Sequence, residues 1–212
     1  MGCVTSFLIL AHALSPLSGV LGFRLYLEVV FRMNPYQNEP LIPNAWIYIA
    51  IDIRDLSICK IGLTTAVSPW QRIQQGTTSN PFYLLFNSYN LSIVGISKKE
   101  LQDLERYLHR KIERRIPIVS SGSVSEWVES HPLQAENWID SYISNSFELN
   151  GFSLQNEHGE VNYSLFNKVK EVCRPDPSSI TRAVRYEQCQ EYVDYLIWYH
   201  NSARLGQPNK PL

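Results

Sequence analysis

Five side chains in the middle of this 212-residue chain could do chemistry together. They are a phenol (Tyr48), an ammonium (Lys60), a guanidinium (Arg72), a carboxylate (Glu105) and an imidazole (His109). Tyr48 lies in WIYIAID, where Ile47, Ile49 and Ile51 alternate with Trp46, Tyr48, Ala50 and Asp52. That period of two is the mark of a half-buried strand. Lys60 lies in a second alternating run, Ser57 to Leu63, and Arg54-Asp55 between them reads as a hairpin tip. Centred there, the hairpin sets Tyr48 opposite Lys60 and Ile49 opposite Cys59. The isoleucines, Cys59 and Ile61 then share the core face, while Tyr48 and Lys60 share the other, within cross-strand reach. Such a pair can be a chemical site or plain surface.

Glu105 is the more telling residue. From Ser97 to about Arg115 the sequence predicts a long helix, opened by a capping signature and stopped by Pro117. At 100° per residue, Leu101, Leu104, Leu108 and Ile112 make one apolar stripe, and Glu105 falls at its buried edge with His109 one turn on. A carboxylate turned toward a core costs several kcal/mol unless it is paired or binds a metal. Its bland explanation is an ion pair with Arg72 or Lys60. Lys99, Arg106, Arg110 and Arg114 fall on the opposite face and read as a solvated back rather than a DNA surface.

The elements that would position these residues follow in order. Ser68-Pro69-Trp70-Gln71 has the form of a capping box before a short helix that carries Arg72 and ends at Gly76. Pro81 to Leu91 is aromatic and apolar and predicts a third strand. His131 to Asn145 predicts a helix with Trp138, Ile139 and Tyr142 inward and His131 as its cap. Ser178 to Asn201 predicts one further helix, with Ile180, Val184, Val193, Leu196 and Ile197 on one side. Its aromatic residues (Tyr186, Tyr192, Tyr195, Trp198, Tyr199) suit a core or a protein interface.

Composition bounds the function. At 44% hydrophobic, the chain can bury one good core with at most a small second domain. A formal charge of -1 gives no bulk attraction to nucleic acid, so any such affinity must be local. Four scattered cysteines without a CxxC argue against a zinc site or a disulfide framework and for a reducing cytoplasm. Residues 7 to 31 are apolar but broken by Pro16, Gly19, Gly22, Arg24 and Glu28, and no basic region precedes Phe7. Neither a membrane span nor a signal peptide is expected. MGCVTS matches the short N-myristoylation pattern, a match that arises easily by chance. Met33 opens a polar lead into the first strand, so residues 1–43 read as an extension, with Met33 as an alternative start.

In order, WIYIA, KIGLT, Arg72 in a helix, ERYLH in a long helix and SEWVES resemble the GIY-YIG nuclease superfamily. The likeness covers roughly residues 44 to 130. It is nearest to the phage-associated branch with KIG in the second motif, Glu-x-x-x-His on the helix and a closing Glu-Trp pair. The resemblance implies that Tyr48 acts as or orients the base that activates water, and that Arg72 binds the scissile phosphate. It implies Glu105 as the ligand of one divalent metal, Mg²⁺ or Mn²⁺, with His109 beside it. Lys60 stands where the second motif usually has a tyrosine, placed to favour the Tyr48 phenolate or to clamp the phosphate. Trp46 replaces the usual leading glycine, and the family's late asparagine has no counterpart here.

The expectation is an α+β fold: a small antiparallel three-stranded sheet (hairpin plus third strand) flanked by helices, with a largely helical C-terminal segment. Residues 44–146 would be the nuclease domain, and 147–212 a segment for specificity or dimerisation, with a disordered tail from Gly206. The expected function is metal-dependent hydrolysis of DNA, a nick per visit, in a phage or mobile-element setting, with DNA and a second copy of the chain as candidate partners. The alternative is a catalytically silent nucleic-acid-binding or interaction module on the same fold.

Overall fold

The first hairpin of the computed structural model is the centre of its main sheet. The structure describes residues 36, 38–112 and 114–204; the expectations for residues 1–32, for a start at Met33 and for the tail from Gly206 lie outside them. Strand β1 (Trp46–Asp52) pairs antiparallel with β2 (Asp55–Thr64) and with β3 (Tyr83–Asn90). The short strands β4 (Arg115–Pro117) and β5 (Val124–Val128) extend the sheet beyond β2, and β8 (Lys170–Val172) extends it beyond β3. The order is β4-β5-β2-β1-β3-β8 and every pairing is antiparallel. β6 (Glu148–Leu149) and β7 (Phe152–Ser153) form a separate two-stranded sheet.

This corrects the three-stranded expectation: the chain is mixed α+β around a six-stranded sheet. The added strands hold only three, five and three residues. So short a run shows no readable period, and pairing with a longer neighbour is what makes it a strand. Pro117, which has no N–H to give, sits on the outermost strand, where none is needed.

Six α-helices are described: α1 (Trp70–Thr77), α2 (Lys98–Lys111), α3 (Pro132–Ser146), α4 (Tyr163–Val169), α5 (Pro177–Ala183) and α6 (Gln190–Arg204). The α2 start matches its signature, since Ser97 Oγ accepts the Glu100 N–H at 3.2 Å. At α3, His131 Nδ1 accepts the Leu133 N–H at 3.3 Å, and Pro132 takes the first helical position. Before α1, Ser68 Oγ accepts the Trp70 N–H at 3.3 Å, and Pro69 is the residue that flanks the helix. The helix expected over 178–201 is two helices, because Val184 turns to extended backbone. The turn lets α6 bury Tyr192, Val193, Tyr195 and Leu196 while Ile197 stays exposed. Trp138, expected inside, is 48% exposed; Ile139 is fully buried.

One face of the sheet (Ile47, Ile49, Ile51, Cys59, Ile61) packs against Leu101, Leu104 and Leu108 of α2, Ile139 and Ile143 of α3, and α6. The other face carries a smaller cluster, Tyr48, Ala50, Ile73, Tyr83 and Leu85, with Trp127 and Cys173 against it. β1 is therefore buried on both faces rather than one. The described residues from Glu39 onward form a single compact unit, and β8 and α6 of the C-terminal segment share its sheet and core. Among the described residues, no helix is long and apolar enough to cross a membrane.

Candidate active site

The hairpin register sets the position of the first two residues. Tyr48 pairs with Gly62, Ile49 with Ile61 and Ala50 with Lys60, with an irregularity between Ala50 and Asp52. The expected pairing of Tyr48 with Lys60 is thus two residues out, since the tip is closed by Asp52 rather than centred on Arg54. Asp52 accepts hydrogen bonds from the Arg54 backbone and guanidinium and from Asn80. A slip of two preserves the faces, so Tyr48 and Lys60 remain diagonal neighbours on one side.

Gly62 is what lets the phenol lie where it does. A Cβ there would stand 2.6 Å from both Cζ and the hydroxyl oxygen of Tyr48. Gly76 of α1 does the same for Tyr83, whose Cε1 would lie 2.5 Å from an added Cβ. The two glycines seat two tyrosines side by side at the floor of an open cleft of about 520 Å³. Tyr48, Lys60, Arg72, Gln75, Asn80 and Trp127 are among its lining. Arg72 is exposed, with Nη1 donating to Gln75 Oε1 at 3.1 Å.

A second cleft of about 450 Å³ is lined by Glu105, Arg106, His109, Arg110, Arg115 and Glu126. Here Glu105 Oε1 accepts the Leu63 N–H of β2 at 3.2 Å and lies 4.0 Å from His109 Nε2. The bland ion pair does not form: Lys60 Nζ binds Glu126 Oε2 at 2.7 Å instead. That bond joins the clefts, because Lys60 lines one and Glu126 the other. The expectation for Arg106 and Arg110 also changes, since the chain turns their face into the Glu105 cleft.

Charges and burial decide the protonation states. Burial pushes the Tyr48 phenol above its ordinary range; Lys60 and Arg72 oppose this, while Glu126 and Glu105 reinforce it. Lys60 therefore does not make Tyr48 a phenolate, because burial outweighs its charge and Glu126 works against it as well. Burial likewise raises Glu105, Glu126 adds to the rise, and the Leu63 N–H, Arg115 and Lys60 hold it back. His109 is pushed below its usual range by burial and by Arg115. The Ile61 backbone approaches its ring, yet neither ring nitrogen closes a hydrogen bond.

Among the described residues, no three His, Cys, Asp or Glu side chains gather into a metal cage. Magnesium asks for less, since it binds through one or two carboxylates and keeps several waters. Glu105, half-buried beside the unpartnered His109 ring and near Glu126, fits that demand. The sequence marks Glu126 only as part of the closing Glu-Trp pair, and it gives no role to Tyr83, to Arg115 or to Gly62 as the seat of Tyr48. Only SEWVES and KIGLT held a signal for any of these. No family model, curated protein or solved structure matches the chain.

Proposed function

We propose that this chain is a metal-dependent DNA endonuclease, GIY-YIG in kind, that hydrolyses one phosphodiester bond per visit in a phage or mobile-element setting. The observation that carries this reading is the junction of the two clefts. Tyr48, Lys60 and Arg72 line one, and the Lys60–Glu126 bond joins it to the other, which holds Glu105 and His109.

Hydrolysis of a phosphodiester needs a positioned water, neutralised non-bridging oxygens and a stabilised leaving oxygen. Arg72 offers a planar fork matched to a phosphate and stands exposed at the cleft, ready to meet one. Tyr48, kept protonated by burial, orients the attacking water with its hydroxyl. Its proton becomes easier to lose as positive charge accumulates around it. Lys60 can exchange its Glu126 partner for a phosphate oxygen. Glu105 would hold Mg²⁺ or Mn²⁺, and the ion would supply charge stabilisation to the phosphodiester being cleaved. One such site cuts one strand, so a double-strand break requires two visits or two copies. The three cysteines among the described residues (Cys59, Cys173, Cys189) are unpaired, which suits a reducing cytoplasm.

Supercoiled plasmid incubated with and without Mg²⁺ tests the reading. Nicked product should appear only with metal, and Glu105→Ala or Arg72→Ala should lower the rate at least about 100-fold, as removal of a key charge-stabilising group does, with folding retained. Full activity in either variant would overturn the assignment. A gel shift with no cleavage would leave a binding module.

A further inference from the structure

Arg110 and Arg115 have the marks of an anion site that the proposed chemistry does not use. Arg110 comes from the last turn of α2 and Arg115 from the start of β4, and both line the 450 Å³ cleft beside Glu105 and His109. Each guanidinium is anchored through Nε alone. Arg110 Nε donates to the Arg106 carbonyl at 3.3 Å, and Arg115 Nε to the Ser125 carbonyl at 2.8 Å. Neither makes an ion pair among the described residues. Their neighbours differ: Arg106 is bound to Asp103, and Arg114 to Glu129 at 3.2 Å. Two forks are thus fixed at the base with their terminal N–H groups unspent, the arrangement that loses least entropy on gripping a phosphate.

A buried imidazole, approached by the Ile61 backbone, also borders the cleft. The His109 side chain is 6% exposed, and neither ring nitrogen closes a hydrogen bond. An anionic ligand with two or more oxygens would complete both forks.

We propose that this second cleft grips the phosphate that flanks the scissile one, so that a single DNA strand runs from Arg72 across the Lys60–Glu126 bond to Arg110 and Arg115. The inference rests on the endonuclease reading and adds the path of the substrate. It turns the α2 face expected to be solvated into a binding surface. A formal charge of -1 is no obstacle, since the grip is local.

The test is duplex DNA binding in EDTA, where cleavage is off, measured over a range of salt concentrations. The full chain is compared with the double variant Arg110→Gln/Arg115→Gln, with Arg110→Gln alone, and with Arg182→Gln as a remote change of the same charge. The logarithm of the binding constant falls against the logarithm of salt with a slope near -0.9 per phosphate contact on duplex DNA. The double variant should bind at least about tenfold more weakly, and its slope should be shallower by up to about two contacts' worth. Arg110→Gln alone should lie between, and Arg182→Gln should match the wild type. If wild type binds and nicks while the double variant keeps its affinity and slope, the inference falls and the endonuclease stands. Equal losses in Arg182→Gln would also overturn it, as a bulk charge effect. If wild type neither binds nor nicks DNA, both proposals fail together.

Discussion

Glu105 illustrates a residue whose cost in the free protein is the counterpart of its use. Burial raises its affinity for a proton, Glu126 adds repulsion, and among the described residues its direct hydrogen bond comes from the Leu63 N–H. Its folded pKa lies above the ordinary 4.5, so the folded state takes up the proton first as pH falls. The resulting destabilisation is fully present above the folded pKa and disappears as pH drops through it toward 4.5. Glu105→Gln removes the charge and keeps an oxygen to accept the Leu63 N–H. We expect this variant to melt at or above the wild-type temperature at pH 7 while losing cleavage. Near pH 4 the two melting temperatures should converge. A variant that melts well below wild type at neutral pH would show that the carboxylate holds the fold together.

At the scale of elements, the hairpin shows what a sequence can and cannot disclose. The alternation in WIYIAID and SICKIGL gives the faces correctly, since the isoleucines and Cys59 enter one cluster and Tyr48 the other. It cannot give the register, because Asp52 closes the tip through bonds to Arg54 and to Asn80, 28 residues away. The α2 stripe and cap were legible, because a 14-residue helix repeats its period nearly four times. The short strands β4, β5 and β8 were not, and the Glu126–Lys60 bond stayed hidden because it forms only once β5 pairs with β2. The true register carries its own prediction. Gly62→Ala puts a methyl carbon 2.6 Å from the Tyr48 ring, and strand backbone on both sides cannot move far. The phenol must swing out, costing about 1–3 kcal/mol of stability and displacing the hydroxyl from the cleft. Nicking should fall at least about tenfold, an overpacking cost that also misplaces a reacting group. Wild-type nicking in a folded Gly62→Ala would remove Tyr48 from the site.

Across the whole molecule, a network between α3 and the C-terminal segment determines how little of the chain can fold alone. Lys170 Nζ lies 2.5 Å from Glu136 Oε1 and 2.5 Å from Asp140 Oδ2, and the Tyr89 hydroxyl donates to Asp140 Oδ1 at 2.7 Å. Arg174, 3% exposed at its side chain, donates to the Phe86 carbonyl, to Asn87 and to the Tyr195 hydroxyl, and pairs with Glu136 at 3.3 Å. Its guanidinium lies 3.5 Å from the Phe86 ring centre. Both carboxylates belong to the expected nuclease segment, and both cations come from the segment expected to serve specificity or dimerisation. Cutting after Ser146 would leave Glu136 and Asp140 without their cations. Breaking a buried pair by removing one partner costs about 3–5 kcal/mol, hence about 6–10 kcal/mol for two. The cut would also uncover Phe86 and Tyr89 and expose β3 as an edge. Against a typical stability of about 5–15 kcal/mol, that loss is close to the whole. Residues 39–146 should therefore lack cooperative melting and show no nicking, while residues 39–204 retain both. A fragment ending at Ser146 that melts cooperatively near the full-chain temperature would show that the β1–β3 sheet stands without its C-terminal brace.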